Sequence, residues 1–370
     1  MNGLILCTRE CNLRCKYCFE DSMHRNLKLS VQEIREQFED FLNEKFEMFV
    51  ESLVKVNEKL DRRTNITFHG GEPLLIGPDL LRRGCEIISR YPEAEISIQT
   101  NGILIDDEII SIFKEYKVKC GISLDGPKHM HDAYRLTRNH ADSFDIVYSN
   151  IMKLRNAGIM AGALATVTDK TLKAPESFYE FFRQNNINFS FNPCFTDPDS
   201  CVTAGGITMK EYIEFYKKMF DLWINDQGSN LSISCFDRII SAMSVKKKVF
   251  MEVCSFIPDC SRTTVAIDAN GDFYRCLHYC MDRKNKIGNI SSDDLWIVVG
   301  GENFSKRWQL LKDTDCKDCD IQEFCCGGCP YVAEAENGTI FSRASTCASQ
   351  KAIVHHIYDY LKRYSKDENV

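Results

Sequence analysis

Three cysteines near the amino end constrain this chain more than any other feature. They fall in Cys11-Asn12-Leu13-Arg14-Cys15-Lys16-Tyr17-Cys18, a C-x3-C-x2-C spacing that supplies three thiolates. Structural zinc and simple electron-transfer clusters take four protein ligands. Three thiolates on a four-iron cluster leave one iron open to a small molecule. A cluster requires that opening if it is to bind a substrate and pass it an electron. Read alone, the spacing also suits a zinc loop or three buried thiols.

Length and composition narrow the class. A chain of 370 residues, 44% hydrophobic and 27% charged, is long enough for two domains or for one barrel with an extension. No apolar run reaches the length of a membrane span, and an export signal is not expected ahead of the cysteine motif. A net charge of −7 and a pI near 5.7 argue against a nucleic-acid partner, which shows as a basic face. Nineteen cysteines in two dense groups fit metal clusters in a reducing cytoplasm better than disulfides. So many thiolates imply an oxygen-sensitive protein, as of an anaerobe.

The first two hundred residues alternate strand-like and helix-like segments. Strands are predicted over 3–8, 65–69, 95–99, 117–124, 159–167 and 187–192. Ser30 to Glu33 reads as a capping box opening one amphipathic helix that extends to about Leu60, and a further helix is predicted from Leu80 to Arg90. Each strand ends in a glycine-rich or polar turn before a helix. That is a (β/α) barrel pattern with functional residues at the carboxyl ends of the strands; six repeats make a partial barrel. Residues 201–253 read as a helical bridge with Trp223 and Phe236 as packing anchors. Residues 254–347 read as a cysteine-rich domain of short strands and turns, and 348–370 as a terminal helix.

The turns at the strand ends carry candidate chemistry. Gly70-Gly71-Glu72-Pro73 follows the second strand: a glycine pair lets backbone approach a ligand closely, and Glu72 can accept a bond from an ammonium group. Gln99-Thr100-Asn101-Gly102 and Ser123-Leu124-Asp125-Gly126-Pro127 end the next two, with Arg135 following, a residue suited to bidentate pairing with a carboxylate. All of these are also ordinary turn and cap residues. Towards the carboxyl end come Cys254-x5-Cys260, Gly271-x4-Cys276, Cys316-x2-Cys319-x5-Cys325-x3-Cys329 and Cys347. Eight thiolates suffice for two four-ligand clusters or for two zinc sites.

Taken together, Cys11/Cys15/Cys18, Gly70 to Pro73, the turns after the third and fourth strands and the carboxyl-terminal cysteine spacing resemble the radical S-adenosylmethionine (SAM) enzymes that carry a SPASM domain. The resemblance covers nearly the whole chain. It implies a partial (β/α)6 TIM barrel followed by a SPASM domain with two auxiliary iron-sulfur clusters. It implies SAM and three [4Fe–4S] clusters as cofactors. Cys11, Cys15 and Cys18 would hold the catalytic cluster, whose open iron binds the amino and carboxylate groups of SAM so that cleavage yields a 5′-deoxyadenosyl radical. Tyr17, Gly70, Gly71, Glu72, Gln99, Asn101, Ser123 and Arg135 would contact SAM. Cys254, Cys260, Cys276 and Cys329 would hold one auxiliary cluster; Cys316, Cys319, Cys325 and Cys347 would hold the other. The partners implied are a peptide or protein substrate and a reducing donor such as flavodoxin or ferredoxin, with no nucleic acid and no membrane.

Within that group the chain is most similar to the anaerobic sulfatase-maturating enzymes, which oxidise a Cys or Ser side chain to formylglycine, with an acidic base and an auxiliary cluster that accepts an electron. One departure matters. Those enzymes place an Asp directly after the cysteine of the Gly-x4-Cys unit, where this chain has Leu277, and a leucine takes no proton. His278 and Asp282 are the nearby alternatives. The expectation is therefore a maturase that oxidatively modifies a ribosomally made peptide, by a thioether or carbon–carbon crosslink or a related side-chain oxidation. Sulfatase maturation is the alternative. An appended leader-binding domain, which peptide maturases often carry, is not expected before Cys11. Of the eight remaining cysteines, Cys7, Cys85, Cys120, Cys201 and Cys235 read as small core residues. Cys280 and Cys326 adjoin expected ligands, and Cys194 follows the sixth strand. An electron carrier would explain the second cysteine group but not an incomplete cluster beside Gly-Gly-Glu-Pro.

Overall fold

The computed structural model describes residues 1–18, 29–194, 204–244, 257, 259–300 and 302–367. Cys201 and Cys254 lie outside the described residues. Two compact units are present: Met1–Ala165 with Asp197–Gly205 and Ser261–Gly300, and Thr166–Thr196 with Gly206–Cys260 and Gly301–Val370. Residues 261–300 thus group by contact with the amino-terminal unit.

In the first unit the strands are β1 (Asn2–Thr8), β2 (Thr64–Gly70), β3 (Ala94–Thr100), β4 (Lys119–Ser123) and β5 (Ala161–Val167). β1 to β5 pair in parallel, each with the next in sequence. Parallel pairing obliges a crossover between strands, and helices supply it. These are α1 (Val31–Glu44) and α2 (Phe46–Lys59) after β1, α3 (Pro78–Ile88), α4 (Asp107–Glu115) and α5 (Phe144–Asn156). All five strands therefore end on one edge, where the glycine-rich turns lie. On the other flank of β1 the sheet continues. β7 (Thr264–Asp268) runs parallel to β1, Asn2 opposite Thr264 and Leu6 opposite Asp268. β8 (Asp272–Tyr274) and β9 (Gly288–Asn289) then follow antiparallel.

The helix expected to run unbroken from Ser30 to Leu60 is two helices. The Ser30 capping box is present, but Lys45 leaves helical geometry at φ −130° and ψ −24°. No Gly or Pro marks the break; its cause is packing. Phe38, Phe41 and Phe46 meet with ring centroids 5.7–6.4 Å apart, and Phe46 stacks on Phe68 of β2 at 6.2 Å. A straight helix would point Phe46 elsewhere. Just beyond, Phe49 has no exposed surface and lies 6.3 Å from Phe273 of β8, so α2 covers both the barrel strands and the added hairpin.

In the second unit, which takes in Thr166 and Val167 at the end of β5, β6 (Phe189–Pro193) follows α6 (Pro175–Gln184), and Cys194 N donates to Val167 O at 2.9 Å. Next come α7 (Met209–Ile224) and α8 (Ser234–Ser244), then α9 (Glu302–Asp313), α10 (Pro330–Asn337) and α11 (Cys347–Asp367). Trp223 and Phe236 do meet, at 5.4 Å, and Phe236 is wholly buried. α11 packs on α7 through His356, whose Nε2 lies 2.7 Å from Asp221 Oδ1 and whose ring meets Phe220 edge-on. No helix among the described residues is long and apolar enough to cross a membrane.

Because Phe49 joins helix, sheet and hairpin, Phe49→Ala is expected to destabilise the first unit by about 3–5 kcal/mol. The check is a urea titration followed by circular dichroism.

Candidate active site

The cysteine loop leaves the end of β1 and is clamped on both sides by backbone. On one side Gly71 N donates to Thr8 O and Glu72 N to Glu10 O, both at 2.9 Å. A Cβ on Gly70 would stand 2.2 Å from Thr8 O, and one on Gly71 2.4 Å from Glu10 O, so neither position has room for a side chain. Gly70 also holds φ +123°, a conformation side chains rarely adopt. On the other side Arg14 N donates to Leu136 O at 2.7 Å and Lys16 N to Tyr134 O at 2.9 Å. Arg138 completes the clamp, its Nε donating to Cys11 O at 2.8 Å and its terminal nitrogen pairing with Glu10 at 2.7 Å.

Inside this clamp the thiols meet polar donors. Asn101 Nδ2 lies 3.5 Å from Cys11 Sγ and donates to Asn12 Oδ1 at 2.7 Å. An Arg135 terminal nitrogen lies 3.9 Å from Cys15 Sγ. Burial lifts the Cys15 thiol to about 12, against the pull of Arg135, and lifts Cys11 as well with help from Glu72. A metal that binds here must displace tightly held protons, and thiolates so formed would already have hydrogen-bond donors in place. Cys18 is half-buried, with its N donating to Cys15 O at 3.0 Å.

The residues expected to contact a ligand divide in two. Gln99 and Ser123 are half-exposed and lie together, Nε2 to Oγ 3.4 Å. Glu72, by contrast, has no exposed surface. Its carboxylate accepts from Leu74 N at 3.0 Å, Thr100 Oγ1 at 2.7 Å and Asn101 N at 2.8 Å. In this geometry it braces the turn after β3 rather than facing an ammonium group. Burial raises it to about 7 despite the three donors. Arg135 is also committed: its Nε bonds Asp125 Oδ2 at 2.9 Å, and the same oxygen accepts from the Tyr17 hydroxyl. The guanidinium lies over the Tyr17 ring, 5.4 Å from its centroid. Asp125, Arg138 and Glu10 are thus site residues that sequence reading passed over. Asp125 stood inside a recognised turn, and nothing local marked the other two.

Most of the second group of cysteines lies in the second unit. Cys316 is influenced by Cys347 and Cys319, and Cys325 by Cys347 and Cys316, so these four thiols share one neighbourhood. Cys325 and Cys347 act on each other, which pushes Cys325 up and Cys347 down, and Cys325 Sγ donates to Gln350 Oε1 at 2.7 Å. Among the described residues no three His, Cys, Asp or Glu side chains could share a single metal ion. A four-iron cluster takes one thiolate on each iron, and Cys316, Cys319, Cys325 and Cys347 supply four. Cys260 and Cys329 lie in the same unit, whereas Cys276 belongs to the first, where Cys280 Sγ donates to its carbonyl at 3.1 Å. Leu277 is half-buried, His278 exposed, and Asp282 uses its carboxylate to cap the next turn through Lys284 N at 2.9 Å. Cys194 is buried.

The comparisons agree with this geometry. The family model "Radical SAM superfamily" matches residues 5–182, and the model "Iron-sulfur cluster-binding domain", called SPASM, matches residues 254–320. A cysteine-type anaerobic sulfatase-maturating enzyme of Clostridium novyi is 31% identical over 93% of this chain and 92% of its own. Among solved structures, native anSMEcpe with bound AdoMet has a TM-score of 0.80 at 24% identity, over 99% of each chain. Streptococcus suis SuiB bound to precursor peptide SuiA has a TM-score of 0.65 at 17% identity, over 94% of this chain and 75% of that one. The protein is a radical SAM enzyme with a SPASM domain. Within that class it belongs to the family that includes the anaerobic sulfatase-maturating enzymes.

Two outcomes follow from the buried carboxylates. Glu72 holds its proton more tightly folded than at its ordinary value of 4.5, so its contribution to stability is lost as pH rises from about 4.5 through about 7. Denaturation at about pH 5 and about pH 8 is expected to show a fall on the order of 2–3 kcal/mol that Glu72→Gln removes. Asp125→Ala strands the Arg135 charge and is expected to cost roughly 3–5 kcal/mol in the same assay.

Proposed function

We propose that this enzyme is a radical SAM/SPASM maturase that oxidatively modifies a ribosomally made peptide, forming a thioether or carbon–carbon crosslink or a related side-chain oxidation. Cys11, Cys15 and Cys18 hold the catalytic cluster. The observation that carries the reading is the three-thiol loop, fixed on one side by Gly70–Gly71 and on the other by Arg138 at the carboxyl ends of the parallel strands. With SAM bound there, the cluster would supply one electron, and the C–S bond of SAM broken by it would give methionine and a carbon radical able to take a hydrogen atom from a peptide side chain. Gln99 and Ser123 offer half-exposed polar groups to SAM, with Gly70 and Gly71 as the adjoining backbone. Glu72, Asn101, Tyr17 and Arg135 act by holding the turns and the cysteine loop in register. Cys254, Cys260, Cys276 and Cys329 hold one auxiliary cluster, and Cys316, Cys319, Cys325 and Cys347 the other, for three clusters in all. A flavodoxin or ferredoxin supplies the electron.

The second reading is sulfatase maturation, favoured by end-to-end similarity to the Clostridium novyi enzyme. Leu277 weighs against it. The position after Cys276 offers no carboxylate, Asp282 is engaged as a cap, and His278 is the exposed alternative.

The test is anaerobic turnover with SAM and a reductant, read by mass spectrometry. The substrates are a sulfatase-motif cysteine peptide and short Cys-rich peptides encoded beside the gene. Loss of two hydrogens from the latter alone is expected. A thiol-to-aldehyde mass change on the former alone would replace the proposal with its alternative. A variant with Ala at Cys11, Cys15 and Cys18 is expected to lose reductive SAM cleavage entirely; retained cleavage would sink the cluster assignment.

A further inference from the structure

Arg307, on α9 of the second unit, is the largest fully buried side chain of the described residues, with 2% exposure. A buried guanidinium requires acceptors for its five N–H groups and a negative charge to offset desolvation. The acceptors are all backbone. Nε donates to Ile340 O at 2.6 Å, one terminal nitrogen to Cys326 O at 3.1 Å, and the other to Gly327 O at 2.9 Å and Ser342 O at 3.1 Å. None of the four is a carboxylate, and no salt bridge offsets the charge among the described residues.

Two of these acceptors belong to the link between Cys325 and Cys329. The link turns through three consecutive left-handed residues, Cys326 at φ +48°, Gly327 at +81° and Gly328 at +76°. A non-glycine at φ +48° costs backbone energy, so something must hold the turn. Arg307 does, grasping the carbonyls of its first two residues. On the cluster assignment proposed above, Cys325 and Cys329 belong to different auxiliary clusters, so this turn sets the distance between them. Burial disfavours the charge of the guanidinium, and thiols of both sets act against that: Cys260 and Cys329 from one, Cys316 and Cys325 from the other.

We propose that Arg307 is the shared positioning residue of the two auxiliary clusters: its fork fixes the turn joining their ligands, and its positive charge offsets the thiolates of both. A four-iron cluster with four thiolates becomes more negative by one charge on reduction, so a fixed buried cation favours the reduced state. Arg307 therefore makes both clusters easier to reduce, which suits acceptors of an electron from an oxidised substrate. The inference rests on the reading that both cysteine sets hold clusters.

The test uses the anaerobically reconstituted full chain, wild type, Arg307→Gln and Arg307→Lys. It reads iron and sulfide content and an EPR-monitored redox titration, with the catalytic cluster as internal reference. In Arg307→Gln both auxiliary potentials are expected to fall by at least the equivalent of a tenfold change in the reduced-to-oxidised ratio, about 59 mV for one electron. The catalytic cluster should stay in place, and Arg307→Lys should restore most of the shift. Unchanged potentials in the glutamine variant, a shift of one auxiliary cluster alone, or a lysine variant matching the glutamine variant would overturn the proposal. Loss of auxiliary iron in the glutamine but not the lysine variant would support it; loss in both would reduce Arg307 to a brace and overturn the charge role. Wild-type protein with iron for one cluster only would refute the cluster reading itself, and with it the inference.

Discussion

The contact between Gly70–Gly71 and Thr8–Glu10 is the constraint on which the site depends. Parallel pairing brings the ends of β1 and β2 together, and only residues without a Cβ let the two backbones close to hydrogen-bonding distance just past the last strand residues. That closure fixes the first residue of the cysteine loop relative to the sheet. Everything downstream is built on it: Glu72, carried inward by the same turn, reaches Thr100 and Asn101, and Asn101 in turn reaches Cys11. A chain of short bonds thus joins three strand ends to one sulfur. Glycines of the kind usually explained by room for a ligand are accounted for here, in large part, by room for the protein itself.

The sequence was most legible where period and punctuation agreed. Five parallel strands of the barrel, the capping box at Ser30 and the carboxyl-terminal helix all lie within a few residues of their expected positions, because alternation, turn residues and caps all act locally. It was least legible where the deciding interaction is distant. Nothing near Lys45 announces a helix break, since the break exists to seat Phe46 against Phe68. Residues 264–289 read as part of a separate cysteine-rich domain, yet β7 joins β1 over five registered pairs. The apolar run Val265-Ala266-Ile267 was the available signal: a strand buried on both faces belongs inside a sheet.

The site shows the same division. Residue types at the strand ends were legible because position within a βα turn implies proximity to the others. The direction in which each side chain points was not. Arg135 suits a carboxylate chemically, and it does bind one, but that carboxylate is Asp125 ten residues away. An Arg whose charge is matched within the protein, stacked on Tyr17 and directed at Cys15, tunes and holds a sulfur more readily than it captures a free ligand.

Arg135 and Arg307 then pose the same physical problem in two places. Each is a buried guanidinium near cysteine sulfur, and a charge in such surroundings is tolerated only with compensation. Arg135 has an aspartate; Arg307 has carbonyl dipoles and thiols. The difference matters for a cluster's response to an added electron. Beside Cys15 the cation is already neutralised by Asp125, so its field at the sulfur is that of a dipole and falls off steeply. Among the described residues Arg307 makes no salt bridge, so its charge is not paired off by a carboxylate as that of Arg135 is, and it acts on Cys260, Cys316, Cys325 and Cys329. On the proposed cluster assignment, a centre that delivers a strongly reducing electron gains from a screened cation, and centres that receive one gain from an unscreened one. The two arginines are arranged in that order.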